Sequence, residues 1–544
     1  MLGVYATRIR PLIDGRAPFS FFDLINRIRG GPIPDPLHRI CSLMRKMRVA
    51  SLLQERLEPF PELEDEERGL TIRCGAPVPC TATRLTFFRQ MPPSRSWHDL
   101  DDEDILGYAV IVRAVLPRRI DGRRFRSYVL EAVVRNPTFW IHDSDSTETA
   151  ADVTNYYIHC SRNHKTTIGT RQNHREFNLH GTFFCQQNDL THVCAHAALR
   201  MALNSSPRHR KKLTNQRINS ILGVDHVTTT VGKYKEKKSV GVYPDEIIKV
   251  ARHLGLSAHV ADFRENPGVD YEAYIYPLVE SGCPTFLGVA NPNVYHALAV
   301  LGHTTNSDRW TPEARLGYGG LPISRYIPTS AWADHFIVSD DNYGTCVTLP
   351  THDVRNIRVP RYNPNPHAAL AIGIVPRGVE LPGYLAEEYS SSLAEKLIKF
   401  FSEQPNVSKW VKRMQSNQLV CRTLLHDKQR YLTAMRDRAD EKGNKLDDRA
   451  MNVLKRRLTS WFWVTELTIP HLFSGNKRKL GDIIIRADQP LPKNNFNSVV
   501  FLWLPGLAWS GRAIVQGQAL FAWPLCGHVD LLRDCGSELP RLEW

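Results

Sequence analysis

The stretch Phe183-Phe-Cys-Gln-Gln-Asn-Asp-Leu-Thr-His-Val-Cys-Ala-His-Ala-Ala-Leu-Arg-Met-Ala-Leu-Asn204 decides how the chain reads. It begins as the apolar end of a strand, crosses a polar turn, and enters a run of small and aliphatic residues at Cys194. Ala195, Ala198, Leu199, Ala202 and Leu203 recur at helical spacing, which predicts a helix with one buried face. Thr191 is the expected N-cap, placing Cys194 in the first turn. A thiol there sits at the positive end of the helix dipole, which favours the thiolate. Gln186 and Gln187 lie just upstream, within reach of the sulfur. This is the pattern of a cysteine nucleophile with an oxyanion-binding glutamine.

Outward from this stretch, 544 residues are too many for one core and predict several domains. The apolar share of 42% is that of an ordinary folded chain, and no apolar run nears the ~20 residues a membrane-spanning helix needs. The N-terminus lacks a secretory leader pattern, so a cytoplasmic location is expected. The eleven cysteines are scattered and never spaced Cys-x-x-Cys, which argues against a disulfide framework and for free thiols in a reducing compartment. The net charge of +14 is spread over short basic clusters such as Arg208-His-Arg-Lys-Lys212, so nucleic acid is not the expected partner.

Residues 1–103 read as a poorly defined N-terminal extension, with one helix across Leu37–Leu57. Residues 104–180 read as a small β-rich domain, from Gly107–Leu116, Ser127–Val134, Tyr156–Cys160 and Phe177–Phe184. After the Cys194 helix come helices at 213–222, Gly241–Gly255 and 271–281, then strands at Pro284–Ala290 and Tyr295–Gly302. This order, helices first and strands after, predicts an α+β layout over 181–350. A proline-rich connection (351–392), a helical segment (393–460) and a C-terminal β-rich unit (461–544) follow.

His296 opens an otherwise apolar strand, and Asp340 closes another, His335–Ser339, at the turn Asp340-Asp-Asn-Tyr-Gly344. A nucleophilic thiol needs a base, and the base needs an acceptor that fixes its tautomer. Cys194, His296 and Asp340 supply the three, with Asp341 as the rival for the third. A zinc reading of Cys185, His192, Cys194 and His196 is set aside because Cys194 and His196 would diverge on a helix. No metal or cofactor is expected.

Glutamine, cysteine helix, Gly-x-x-Pro-x-Glu-Ile helix, Gly-x-Pro-x-x-Leu-Gly-Val strand, His-Ala strand and Asp with a glycine four residues on occur in that order. Together they resemble the papain-like cysteine peptidases, closest to the C39-like peptidase domains, over roughly 183–349. Ala195 follows the cysteine where many relatives carry glycine. The resemblance implies a papain-like fold, Cys194 as nucleophile, His296 as general base and acid, and Asp340 as its orienter. It further implies Gln187 and the Cys194 backbone N–H as oxyanion donors, with a protein or peptide substrate. The expected chemistry is peptidase or isopeptidase action through a thioester; deamidation or transglutamination would use the same residues, and an inactive interaction scaffold would keep the fold. The insertion Thr304–Asp334 is expected to serve as a lid or a substrate-gating element.

Overall fold

The computed structural model describes residues 4–11, 35–92, 96–120, 123–137, 141–142, 148–149, 156–188, 194–209, 211–224, 242–265, 270–290, 295–304, 315–316, 325–351, 367–403, 409–437, 448–476, 479–491, 498–504 and 507–509. Over these the chain is α+β, built on three seven-stranded sheets. No helix among the described residues is long and apolar enough to cross a membrane.

The first sheet contains β1 (Val4–Pro11), β2 (Ser51–Leu57), β3 (Cys80–Phe88), β4 (Ile105–Ile120) and β5 (Arg123–Arg135). A separate small ribbon, β6 (Ile141–His142) with β7 (Glu148–Thr149), and the short β8 (Tyr156–Tyr157) follow in the chain. Then β9 (Arg162–Gly169) and β10 (His174–Phe184) complete the sheet in the order β1-β2-β3-β4-β5-β10-β9, antiparallel throughout. The expected boundary at residue 103 therefore falls inside one sheet, because β1, β2 and β3 are paired to β4 and not part of a separate extension. The helix expected across Leu37–Leu57 is instead a helix, Asp35–Lys46, followed by β2. The chain turns at Arg48, whose positive φ of 58° ends the helix, and Ser51–Leu57 alternates against β1 and β3.

The second sheet carries the candidate site. Its strands are β11 (Leu256–Asp262), β12 (Thr285–Ala290), β13 (Tyr295–Thr304), β16 (His335–Asp340), β17 (Gly344–Pro350) and β18 (His367–Pro376), in the order β11-β18-β12-β13-β16-β17, with β8 against the end of β13. Every pair is antiparallel. The helix Cys194–Ser205 packs on β10 and β13, with every residue after Cys194 buried. Helices Asn215–Leu222 and Pro244–His253 have local signals for their ends: the Thr214 hydroxyl accepts from Arg217 N–H, Gly223 takes φ +72°, and Glu246 accepts from Tyr243 N–H at 2.9 Å. β18 lies inside the stretch expected to be a proline-rich connection. It returns to fill the gap between β11 and β12, so the sheet is incomplete without residues beyond 350.

The third sheet runs β14 (Arg315–Leu316), β15 (Arg325–Pro328), β19 (Leu419–Asp427), β20 (Trp461–Thr468), β21 (Gly481–Arg486), β22 (Val499–Leu504) and β23 (Leu507–Trp509). The helix Gly383–Ser402 packs across β19, β20 and β21. β19 lies inside the segment 393–460 that is expected to be helical. Its residues Leu419–Leu425 are all buried, Arg422 and Thr423 among them, so they lack the alternation that marks a half-exposed strand. The described part of the Thr304–Asp334 insertion is not a lid: β15 joins this sheet, pairing Tyr326 with Leu419 in parallel. Of the β-rich unit expected over 461–544, the residues from 510 on lie outside the described residues.

Candidate active site

Three elements of the second sheet and its helix converge. Cys194 is the first residue of the helix Cys194–Ser205, and His296 and Asp340 stand on the neighbouring strands β13 and β16. His296 Nε2–H donates to Asp340 Oδ1 at 3.0 Å, while Asp341 Oδ1 lies farther off at 3.6 Å. The same Asp340 oxygen accepts from Asn342 N–H at 2.8 Å, so the turn's own backbone aims the carboxylate. A hydrogen bond joins His296 to Cys194. Nε2 is held by Asp340, which leaves Nδ1 for the sulfur. Cys194 itself is half-buried, and the imidazole is buried.

The electrostatics follow from those partners. Burial alone would lower the imidazole pKa. Hydrogen bonds to Asp340 and Cys194, together with the charges of Asp340 and Asp341, outweigh it and raise His296 well above its ordinary 6.5. A buried imidazolium between a carboxylate and a thiol is the charge distribution a thiolate requires. By linkage, a pKa higher in the folded than the unfolded chain adds stability that is complete below about pH 6.5 and is lost as pH rises through the folded value. The stability advantage of wild type over His296→Gln is thus expected to be largest in mild acid and to shrink with rising pH. Urea titrations across pH measure it, and an advantage that grows with pH would contradict the assignment.

The two glutamines are not equivalent. Gln186 extends the pairing of β10 with β5: its N–H donates to the Val129 carbonyl at 2.8 Å and its Oε1 accepts from Val129 N–H at 3.1 Å. The Gln187 amide oxygen is buried and has no hydrogen-bond partner among the described residues. The Gln186 amide oxygen is therefore held by β5, whereas the Gln187 amide oxygen is not. Thr191, the expected N-cap, and His192 lie outside the described residues. Of the other residues weighed for zinc, His196 Nε2 pairs with Asn219 Oδ1 at 3.0 Å, and the Cys185 thiol donates to the Ala197 carbonyl.

The remaining described thiols are poor nucleophiles. Burial pushes Cys185 up to about 11 and Cys80 up to about 12, and also raises Cys41, Cys74, Cys160, Cys283, Cys346 and Cys421. All nine described cysteines are free.

Two supports around the site gave no signal in the sequence. Arg39, on the helix Asp35–Lys46, reaches across to β17, where its Nε donates to the Thr345 carbonyl at 3.3 Å and its Nη2 to the Cys346 carbonyl. Gly344, at φ +114°, closes the Asp340 turn directly beneath it; a Cβ there would lie 2.8 Å from Arg39 Cβ. Asn342 is the other support, through the backbone N–H that it donates to Asp340 Oδ1 at 2.8 Å.

No protein-family model matches the chain, and no curated protein sequence matches it.

Proposed function

We propose that this chain is a cysteine-dependent hydrolase of papain-like type, acting on amide or isopeptide bonds through a thioester. The observation that carries the reading is the single imidazole of His296, hydrogen-bonded to Cys194 and to Asp340. In this scheme the Cys194 thiolate attacks the carbonyl carbon. Negative charge moves to the carbonyl oxygen, which the Cys194 backbone N–H and the Gln187 amide receive. The imidazolium gives its proton to the departing amine, and the bond to nitrogen breaks to leave the acyl group on sulfur. Water, deprotonated by the now neutral imidazole, attacks the thioester; the acid departs and the thiol–imidazole pair is restored. Asp340 keeps the ring in the tautomer that presents Nδ1 to the sulfur. Deamidation and transglutamination differ only in the amide attacked or the second nucleophile, so they belong to the same site.

Intact-protein mass spectrometry with a peptidyl electrophile tests the scheme. One adduct is expected, on Cys194, absent in Cys194→Ala. Labelling spread over several cysteines at free-thiol rates, or absent altogether, would overturn it.

A further inference from the structure

The other end of β13 holds a second constellation that the proposed hydrolase chemistry does not use. His303 on β13, His159 just after β8 and Glu280 at the end of the helix Tyr271–Glu280 are all buried, each with 2% exposure or less. Glu280 Oε2 lies 2.5 Å from His303 Nε2 and 2.9 Å from His159 Nε2. The three donor atoms lie within 4.8 Å of one another.

Two imidazole nitrogens converge on one carboxylate oxygen. His303 Nδ1 lies 3.0 Å from the Thr304 carbonyl, which can only accept, so Nδ1 carries the hydrogen and a neutral ring turns the Nε2 lone pair toward a carboxylate oxygen. His159 Nε2 pairs with the same oxygen at 2.9 Å. One cation at the point where the three donor atoms converge would be bound by both Nε2 atoms and by Oε2 together, in place of the protons that otherwise bridge them.

The surroundings match those of a metal ligand set. The backbone carbonyl on His303 Nδ1 fixes the tautomer that ligates through Nε2. Arg422 binds the other carboxylate oxygen, with Nε at 2.7 Å and Nη2 at 2.6 Å from Glu280 Oε1, so Oε2 is left to face the rings. Two imidazoles and one carboxylate suit a borderline divalent ion such as Zn²⁺, Co²⁺ or Ni²⁺ rather than Ca²⁺ or Mg²⁺, which take all-oxygen shells. At the usual ~2.0–2.2 Å from each donor, the ion would spread the three atoms by under about an ångström.

We propose that His159, His303 and Glu280 form a buried site for one divalent transition-metal ion that ties the β8 segment, β13 and the helix Tyr271–Glu280 together. This runs against the expectation, from sequence, of a chain without metal. It stands apart from the thiol site, since none of its three residues belongs to the Cys194–His296–Asp340 set.

The test uses the full chain prepared without a histidine tag. Metal content is measured as purified, and the chelator-stripped protein is then titrated with Co²⁺ and Zn²⁺. One equivalent of ion per chain is expected. Co²⁺ should give d–d absorption bands, and Zn²⁺ should raise Tm by an amount that grows with its free concentration. His303→Ala and His159→Ala should each lose the equivalent, and His296→Ala should keep it. If both ring variants fail to fold, the wild-type titration still decides. A stripped chain that gives neither bands nor a Tm shift overturns the proposal, as does a metal equivalent that follows His296 instead of His303.

Discussion

His296→Ala is expected to lower the rate of Cys194 alkylation by iodoacetamide at pH 6 by roughly two orders of magnitude. An ordinary thiol with a pKa near 8.5 is only about 0.3% ionised at that pH, whereas a thiolate held against an imidazolium is largely formed. The imidazole of His296 is the cation in question, raised above its normal range by Asp340, Asp341 and Cys194 acting against burial. Asp340→Asn should give a smaller loss, because the amide can still accept from Nε2–H while its charge is gone. The effect should narrow above pH 9, where any accessible thiol is ionised. Equal rates for wild type and His296→Ala across this range would mean that the imidazole does not activate the sulfur, and the hydrolase reading would fall with it.

Arg422→Ala should destabilise the chain by about 3–5 kcal/mol, more than the loss of any surface ion pair. Arg422 lies 4% exposed between Glu280 and Glu466, and Glu466 is in turn 2.8 Å from Lys479, which also pairs with Asp482 at 3.0 Å. Removing the guanidinium leaves Glu280 Oε1 and Glu466 Oε2 without this partner, in a place that water cannot reach. The pair Lys165–Glu176 is the contrast: its side chains are 71% and 50% exposed, so Lys165→Ala should move the denaturation midpoint little. Urea unfolding followed by tryptophan fluorescence measures both, and similar shifts for the two variants would show that the buried network is not what holds β19 to the helix Tyr271–Glu280.

The candidate site was legible from local pattern. The small-residue helix after Cys194, the apolar strand after His296 and the Asp-Asp-Asn turn each carry their own signal, and each forms the element expected. What stayed hidden depends on pairing across long separations. β18 follows a proline-rich stretch and looks like a connection until β11 and β12 are seen to leave a gap for it. β19 sits in a segment that reads as helical because a strand buried on both faces loses its alternation, and helix-forming residues flank it. β1, β2 and β3 interleave with helices and charged turns, so their shared sheet cannot be read from any one window. The buried cluster of His159, Glu280 and His303 was hidden for the same reason: the three are spaced far apart and share no motif.

Arg39 has a practical meaning for anyone wishing to isolate the site. The turn that aims Asp340 at His296 rests on a side chain about three hundred residues earlier in the chain, and the strand leading to the thiol helix belongs to the first sheet. A fragment trimmed to the 181–350 block would lack that brace as well as β18. The smallest piece expected to fold with an ordered Asp340 turn begins before Asp35 and ends after Pro376, so excision at the borders of the 181–350 block should give insoluble protein.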